Sequence, residues 1–176
     1  MTDEEYETMV RAKAGSMDFK KKALDKLGID ESEVSEIEPV HFEGYYFDDK
    51  KAYARAGKDG YYRSSAYEIT WLFFSSTQVY IYYYRFNMDE DGKKEGTDEY
   101  FYKDITNFST STDSVEKEMV DKVSCSGKTT YIRRTIDTNK FKMVVPGESF
   151  SCSMVQNEYT DRAIKGMKAK LREKKG

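Results

Sequence analysis

Histidine is nearly missing from this sequence: His41 is the only one among 176 residues. One imidazole excludes multi-histidine metal centres. It would also route any Ser-His-Asp or Cys-His arrangement through a strand-start residue beside Pro39, where a structural role is the expectation. Cysteine is as scarce. Cys125 and Cys152 are far apart and form no CxxC pair, so neither a disulfide framework nor a zinc site is expected. The longest apolar runs, Trp71–Phe74 and Val79–Tyr84, are far too short to span a bilayer. Met1 leads directly into an acidic segment without a positive n-region or an apolar h-region, so no signal peptide is expected and the cytoplasm is the default location. A net charge of −3 excludes a generally polycationic nucleic-acid binder. P-loop, GxGxxG and GxSxG patterns are absent, and nothing calls for a cofactor or points to an enzyme.

What the chain has is rings. Aromatic residues make up 15% of it against a hydrophobic total of 38%, so burial must rest on Tyr and Phe, which favour pleated, half-buried surfaces. Residues 1–38 read as a helical appendage. Thr2 with Glu5 has capping-box spacing, a second helix follows Asp18 and stops at Gly28, and Asp30 with Glu33 repeats the box before Pro39. Residues 39–176 then change period. Strands are predicted at 40–48, with 51–56 as its returning partner, at 65–74 and 78–87 joined by Ser75-Ser76-Thr77, and at 98–103. A hairpin of 129–136 with 140–145 is predicted around Asp137-Thr138-Asn139, followed by a last strand at 149–153. The Ser/Thr-rich stretch 107–128 gives no clear element. An amphipathic helix covers 156–174. Helices grouped at the ends argue for an α+β antiparallel fold of about seven strands, not a parallel βαβ sheet.

The central hairpin is apolar on both faces, with Tyr67, Ile69, Trp71 and Phe73 alternating against Glu68, Thr70, Leu72 and Phe74. A single solvated face would need cleaner polar alternation, so each side is expected to be covered. From about Tyr67 to Lys174 the chain resembles bacterial pleckstrin-homology-like domains of the GRAM-related type. The likeness lies in the strand pair WLFFSSTQVYIY, in YFYKDITNF with Tyr102, Asp104 and Ile105, and in FKMVVPGESF leading to AIKGMKAKL. The resemblance implies a partly open antiparallel β-barrel of two nearly orthogonal sheets with a C-terminal helix across one end. It also implies a module that binds phosphoinositides, proteins or peptides. The basic pattern of the inositide binders is not matched by Lys50, Lys51, Arg55, Lys58 and Arg63.

Four features could carry chemistry. The face of Tyr80, Tyr82, Tyr84 and Phe86 would mark a partner surface or homodimer interface if bare; the competing expectation is that the N-terminal helices cover it. Asn87, Asp89, Asp91 and Asp98 nearly trace a calcium loop, but Asn opens it, the shorter Asp closes it, and strands flank it, so a solvated hairpin loop is favoured. Carboxylate pairs such as Asp48-Asp49 sit in turns, where a hydrolase or small-ligand site at the barrel mouth finds little support. The basic face of the last helix, with Lys165, Lys168 and Arg172, suits anionic lipid, though a solvated polar face explains it as well. The sequence therefore points to a non-enzymatic binding or scaffolding module, with a protein or peptide partner ahead of lipid.

Overall fold

The helix ends fall where the capping residues stand. In the computed structural model, which describes residues 1–176, α1 spans Asp3–Gly15 and α2 spans Phe19–Leu27. The Thr2 hydroxyl accepts from the Glu5 N–H while Glu5 accepts from the Thr2 N–H, so two otherwise orphaned donors are satisfied reciprocally. Gly28 closes α2 at φ +68°, a left-handed position that any Cβ would strain. A 3-10 turn at Glu31–Val34 then delivers the chain to the first strand.

Nine strands follow in three antiparallel sheets. A four-stranded sheet has the order β1 (Val40–Tyr46), β4 (Ala66–Phe74), β5 (Gln78–Asn87), β6 (Lys93–Phe101). A small hairpin pairs β2 (Ala54–Ala56) with β3 (Tyr62–Ser64), and a third sheet has the order β7 (Asn107–Val123), β8 (Thr129–Val145), β9 (Glu148–Ser153). A 3-10 turn at Tyr102–Asp104 links β6 to β7, and α3 (Glu158–Lys175) ends the chain. The α+β class and the helices at both ends stand as expected. The sheets are not closed into a barrel.

The two-faced hairpin decides the layering. One face of the large sheet buries Tyr67, Ile69, Phe73, Tyr82, Tyr84 and Phe86 against Val10 of α1 and Phe19 and Ala23 of α2. The other buries Phe42, Leu72, Phe74, Val79 and Ile81 against Phe141 and Met143 of β8, Cys152 of β9, and Ile164, Met167 and Leu171 of α3. Both faces are covered, as the lack of polar alternation required. The face of Tyr80, Tyr82, Tyr84 and Phe86 is therefore core under the N-terminal helices, not an open partner surface. Tyr82 is fully buried and Tyr80 is half-buried at the edge of that layer.

Three boundaries are corrected. Residues 54–56 pair with β3, and β1 pairs with β4. β8 runs unbroken through Asp137-Thr138-Asn139, which face Ser114, Asp113 and Thr112 of β7; three turn-favouring residues in a row yield to a long partner strand. β6 begins at Lys93, so the charged loop after β5 shrinks to a tight turn.

A buried ion pair joins the sheets. Glu68 of β4 is 3% exposed; its carboxylate accepts from Arg85 Nε at 3.1 Å and Nη2 at 2.5 Å, and from the Ser153 N–H of β9 at 2.8 Å. The Arg85 guanidinium lies 3.5 Å from the Tyr46 ring centroid. With both carboxylate oxygens hydrogen-bonded, one of them twice to the guanidinium, the buried charge is compensated.

Candidate docking surface

β7 and β8 are each 17 residues long, while β9 covers only the Lys140–Val145 end of β8. The rest of β8 pairs with β7 alone, and the two strands leave the body as a ribbon ending in the turn Ser124–Lys128. The ribbon alternates as a half-covered sheet should. Val115, Met119 and Ile136 face inward onto Phe47, Ala54 and Tyr62, whereas Glu116, Glu118, Arg133 and Thr135 point to solvent.

Polar contacts hold the ribbon against the β1–β2 connection. Lys117 Nζ donates to the carbonyls of Asp49 at 2.7 Å and Ala52 at 3.2 Å, which closes that loop around its ammonium. Lys140 pairs with Asp48 at 2.6 Å. Burial works against the charge of Lys140, but the Asp48 bond and the nearby Asp113 outweigh it and hold its pKa above the ordinary lysine value.

Between β2 and the ribbon lies an open groove of about 850 Å³. Ala52, Ala54 and Ala56 line one wall, Met119, Val120, Tyr131 and Ile132 the other, and Lys50, Arg55, Arg134, Glu118 and Asp121 the rim. Tyr53 stands open beside it at 74% exposure, and Val120 and Tyr131, paired across the ribbon at 57% and 62%, are exposed on the face they share with Glu118 and Arg133. β2 and β7 are each hydrogen-bonded on one side only, so unpaired strand edges flank this groove. Such a groove can take an extended segment: main-chain bonds to an edge supply affinity, and alternate side chains enter the groove.

The residues singled out from the sequence lie elsewhere. Asn87 ends β5 and its Oδ1 accepts from the Asp89 N–H; Asp89 and Asp91 lie exposed in the turn, but Asp98 sits in β6 opposite Ile81. The twelve-residue calcium loop therefore does not form, because its second half is strand. Burial raises the pKa of Asp98, and Glu148 adds to that, yet Asp98 lines neither the ribbon groove nor the polar cleft between Tyr46–Lys51 and Glu90–Lys94. His41 is stacked on Trp71 with ring centroids 4.8 Å apart and meets the tilted Tyr159 ring at 5.0 Å; the Tyr159 hydroxyl is 3.1 Å from Nδ1 and accepts from the His41 N–H. It bridges β1 and α3, a structural position.

On α3, Lys165, Lys168 and Arg172 form an exposed stripe with Arg162. The remaining cations turn inward: Lys170 and Lys174 meet Glu36, and Lys175 donates to the Ile105 carbonyl. No helix is long and apolar enough to cross a membrane.

No protein-family model matches the chain, and no curated protein or solved structure matches it. The groove itself went unread in the sequence. Its signal was the alternation of Val115, Lys117 and Met119 with Ser114, Glu116 and Glu118, hidden by the Ser/Thr-rich, charged composition of the segment.

Proposed function

We propose that this chain is a non-catalytic docking module that holds an extended segment of a partner protein in the groove between β2 and the β7–β8 ribbon. The observation that carries this reading is the groove walled by Ala52, Ala54, Met119 and Ile132, with exposed Tyr53, Val120 and Tyr131 at its margins and two unpaired strand edges beside it. Alternating Glu116, Lys117, Glu118, Asp121 and Lys122 along β7 blunt indiscriminate edge pairing. The pleckstrin-homology-like assignment accompanies the proposal. Antiparallel sheets packed face to face with a terminal helix across one end support it, and their lack of closure into a barrel is the departure.

Selection of random extended peptides on the intact chain, followed by hydrogen exchange, tests the reading. Enriched peptides are expected to protect residues 50–56 and 117–134, and to weaken about tenfold or more, on the order of 1.4 kcal/mol, with Tyr131→Asp. Binders that protect another surface, or no enrichment at all, would refute it.

A second reading rests on the α3 stripe. Arg162, Lys165, Lys168 and Arg172 have no acidic partner within 4.0 Å, which suits an anionic lipid surface at roughly 1 kcal/mol per cation. Flotation with anionic vesicles that is lost in salt and in a Lys165→Glu/Lys168→Glu/Arg172→Glu variant supports it; flotation unchanged by those substitutions removes it.

A further inference from the structure

The N-terminal helices cover the ring face in two different ways. α2 is seated by packing: it buries Phe19 and Ala23, and the Phe19 ring lies 5.2 Å from that of Tyr84. α1, although longer, fully buries only Val10, with Tyr6 and Ala14 partly buried beside it. Its hold on the body is mostly polar. Asp3 meets Arg55 Nη2 at 2.6 Å and the Lys58 N–H at 2.8 Å. Glu7 Oε1 accepts from Arg63 Nη2 at 2.6 Å and Nε at 3.1 Å. The Tyr6 hydroxyl donates to the Ser64 carbonyl at 2.8 Å, and Lys13 Nζ donates to the Asn87 carbonyl at 3.3 Å.

The buried charge on the receiving side keeps a partner without α1. Arg63 is 5% exposed, and an orphaned guanidinium there would be costly. Yet it keeps both oxygens of Asp59, at 2.9 and 2.7 Å, from the β2–β3 hairpin that carries it. Lifting α1 therefore strands no buried charge. Arg55 is half-exposed and returns to water.

The joint is built to bend. α1 has its own caps at Thr2 and Ser16, and Asp18 caps α2 independently through the Lys21 N–H. Gly15, the last residue of α1, is exposed, and a Cβ there would meet nothing within 4 Å. Beneath α1 lie Tyr45, stacked on Tyr6, and Phe86, under the Lys13 ammonium. Beside them, Tyr67 packs edge-on to Tyr45.

From this contrast we propose that α1 is a hinged strap. Charged staples fasten it to the β2–β3 hairpin, and its release, favoured by rising ionic strength, uncovers the Tyr45–Tyr67–Phe86 ring surface while α2 stays in place. Segments that open locally are those with few buried apolar contacts, and α1 is the element of the core layer that fits this description. Salt screens the more exposed Asp3–Arg55 pair further than the partly buried Glu7–Arg63 pair, whereas the packing of α2 does not depend on salt in that way.

Hydrogen exchange on the full chain reads this directly. Amides of 5–15 are expected to exchange roughly tenfold or more faster than those of 21–27 and of β4 and β5, because local opening needs less free energy than global unfolding. Raising salt from about 0.05 to about 0.5 M speeds 5–15 alone. The Asp3→Asn/Glu7→Gln variant reproduces that acceleration in low salt while the denaturation midpoint of the body, followed by Trp71 fluorescence, stays put. Exchange of 5–15 in step with α2 and the central strands, or rates indifferent to both salt and the double substitution, would overturn the proposal.

Discussion

Single residues show how far a local signal depends on its neighbours. Glu68 sits in a run of strand formers where an acid looks like a solvated-face residue, yet it is buried and bonded to Arg85 and Ser153. Removing one partner of such a pair leaves an uncompensated charge, so Arg85→Leu is expected to cost about 3–5 kcal/mol in urea denaturation. Replacing both residues by apolar ones should recover much of the loss. A single substitution as mild as the double one would show that the pair contributes little. Gly96 is a second case. The Tyr83 ring crosses it so closely that a Cβ would stand 2.3 Å from the hydroxyl oxygen. Gly96→Val is expected to push the ring aside at a cost of about 1–3 kcal/mol, seen as a lowered thermal midpoint.

At the scale of elements, the β7–β8 ribbon and α1 are the parts least determined by the core. The distal ribbon has solvent on one face and a groove on the other, so Tyr131→Asp and Val120→Asp should change stability by less than about 0.5 kcal/mol. Met119→Ala, by contrast, removes a buried side chain from the Phe47–Ile136 cluster and is expected to cost about 2–5 kcal/mol. Equal effects for the two sorts of substitution would mean that the groove closes in solution. The ribbon also explains why its strands were hard to read. Ser, Thr and charge on the outer face mimic a loop, and only the pairing of Val115 with Ile136 and Met119 with Ile132 fixes the register.

Over the whole molecule, carboxylates fasten layers together. Hydrogen bonds to Asp3 from the Lys58 N–H and Arg55, to Glu36 from Lys170 and Lys174, to Asp59 from Arg63, and to Glu95 from Tyr82 hold those acids below their ordinary values of 3.8 or 4.5. A depressed folded pKa means stability that is fully present above the unfolded value and is lost as pH falls through the folded one. The urea midpoint should therefore hold steady down to about pH 4.5 and decline below it. Asp98, raised by burial, works in the opposite sense but is one group against four. A midpoint that rose on acidification to pH 3 would contradict this sum. At the other extreme, burial pushes Tyr6 and Tyr100 up to about 12, so the fold should weaken as pH climbs above 10, where the unfolded phenols ionise first.

The amino-acid sequence by itself determined the helix caps at Thr2, Asp18 and Asp30, the stop at Gly28, the Ser75-Ser76-Thr77 turn and the antiparallel, ring-rich character of the body. Each of these is settled by residues within a few positions of one another. Which strand adjoins which, the burial of Glu68, the cover over Tyr82 and the groove beside β2 were decided only by tertiary structure. Alternation along a strand assigns its two faces, but it does not say what comes to lie on either. That depends on chain segments brought together from far apart, Phe19 over Tyr84 and Ser153 beside Glu68 among them.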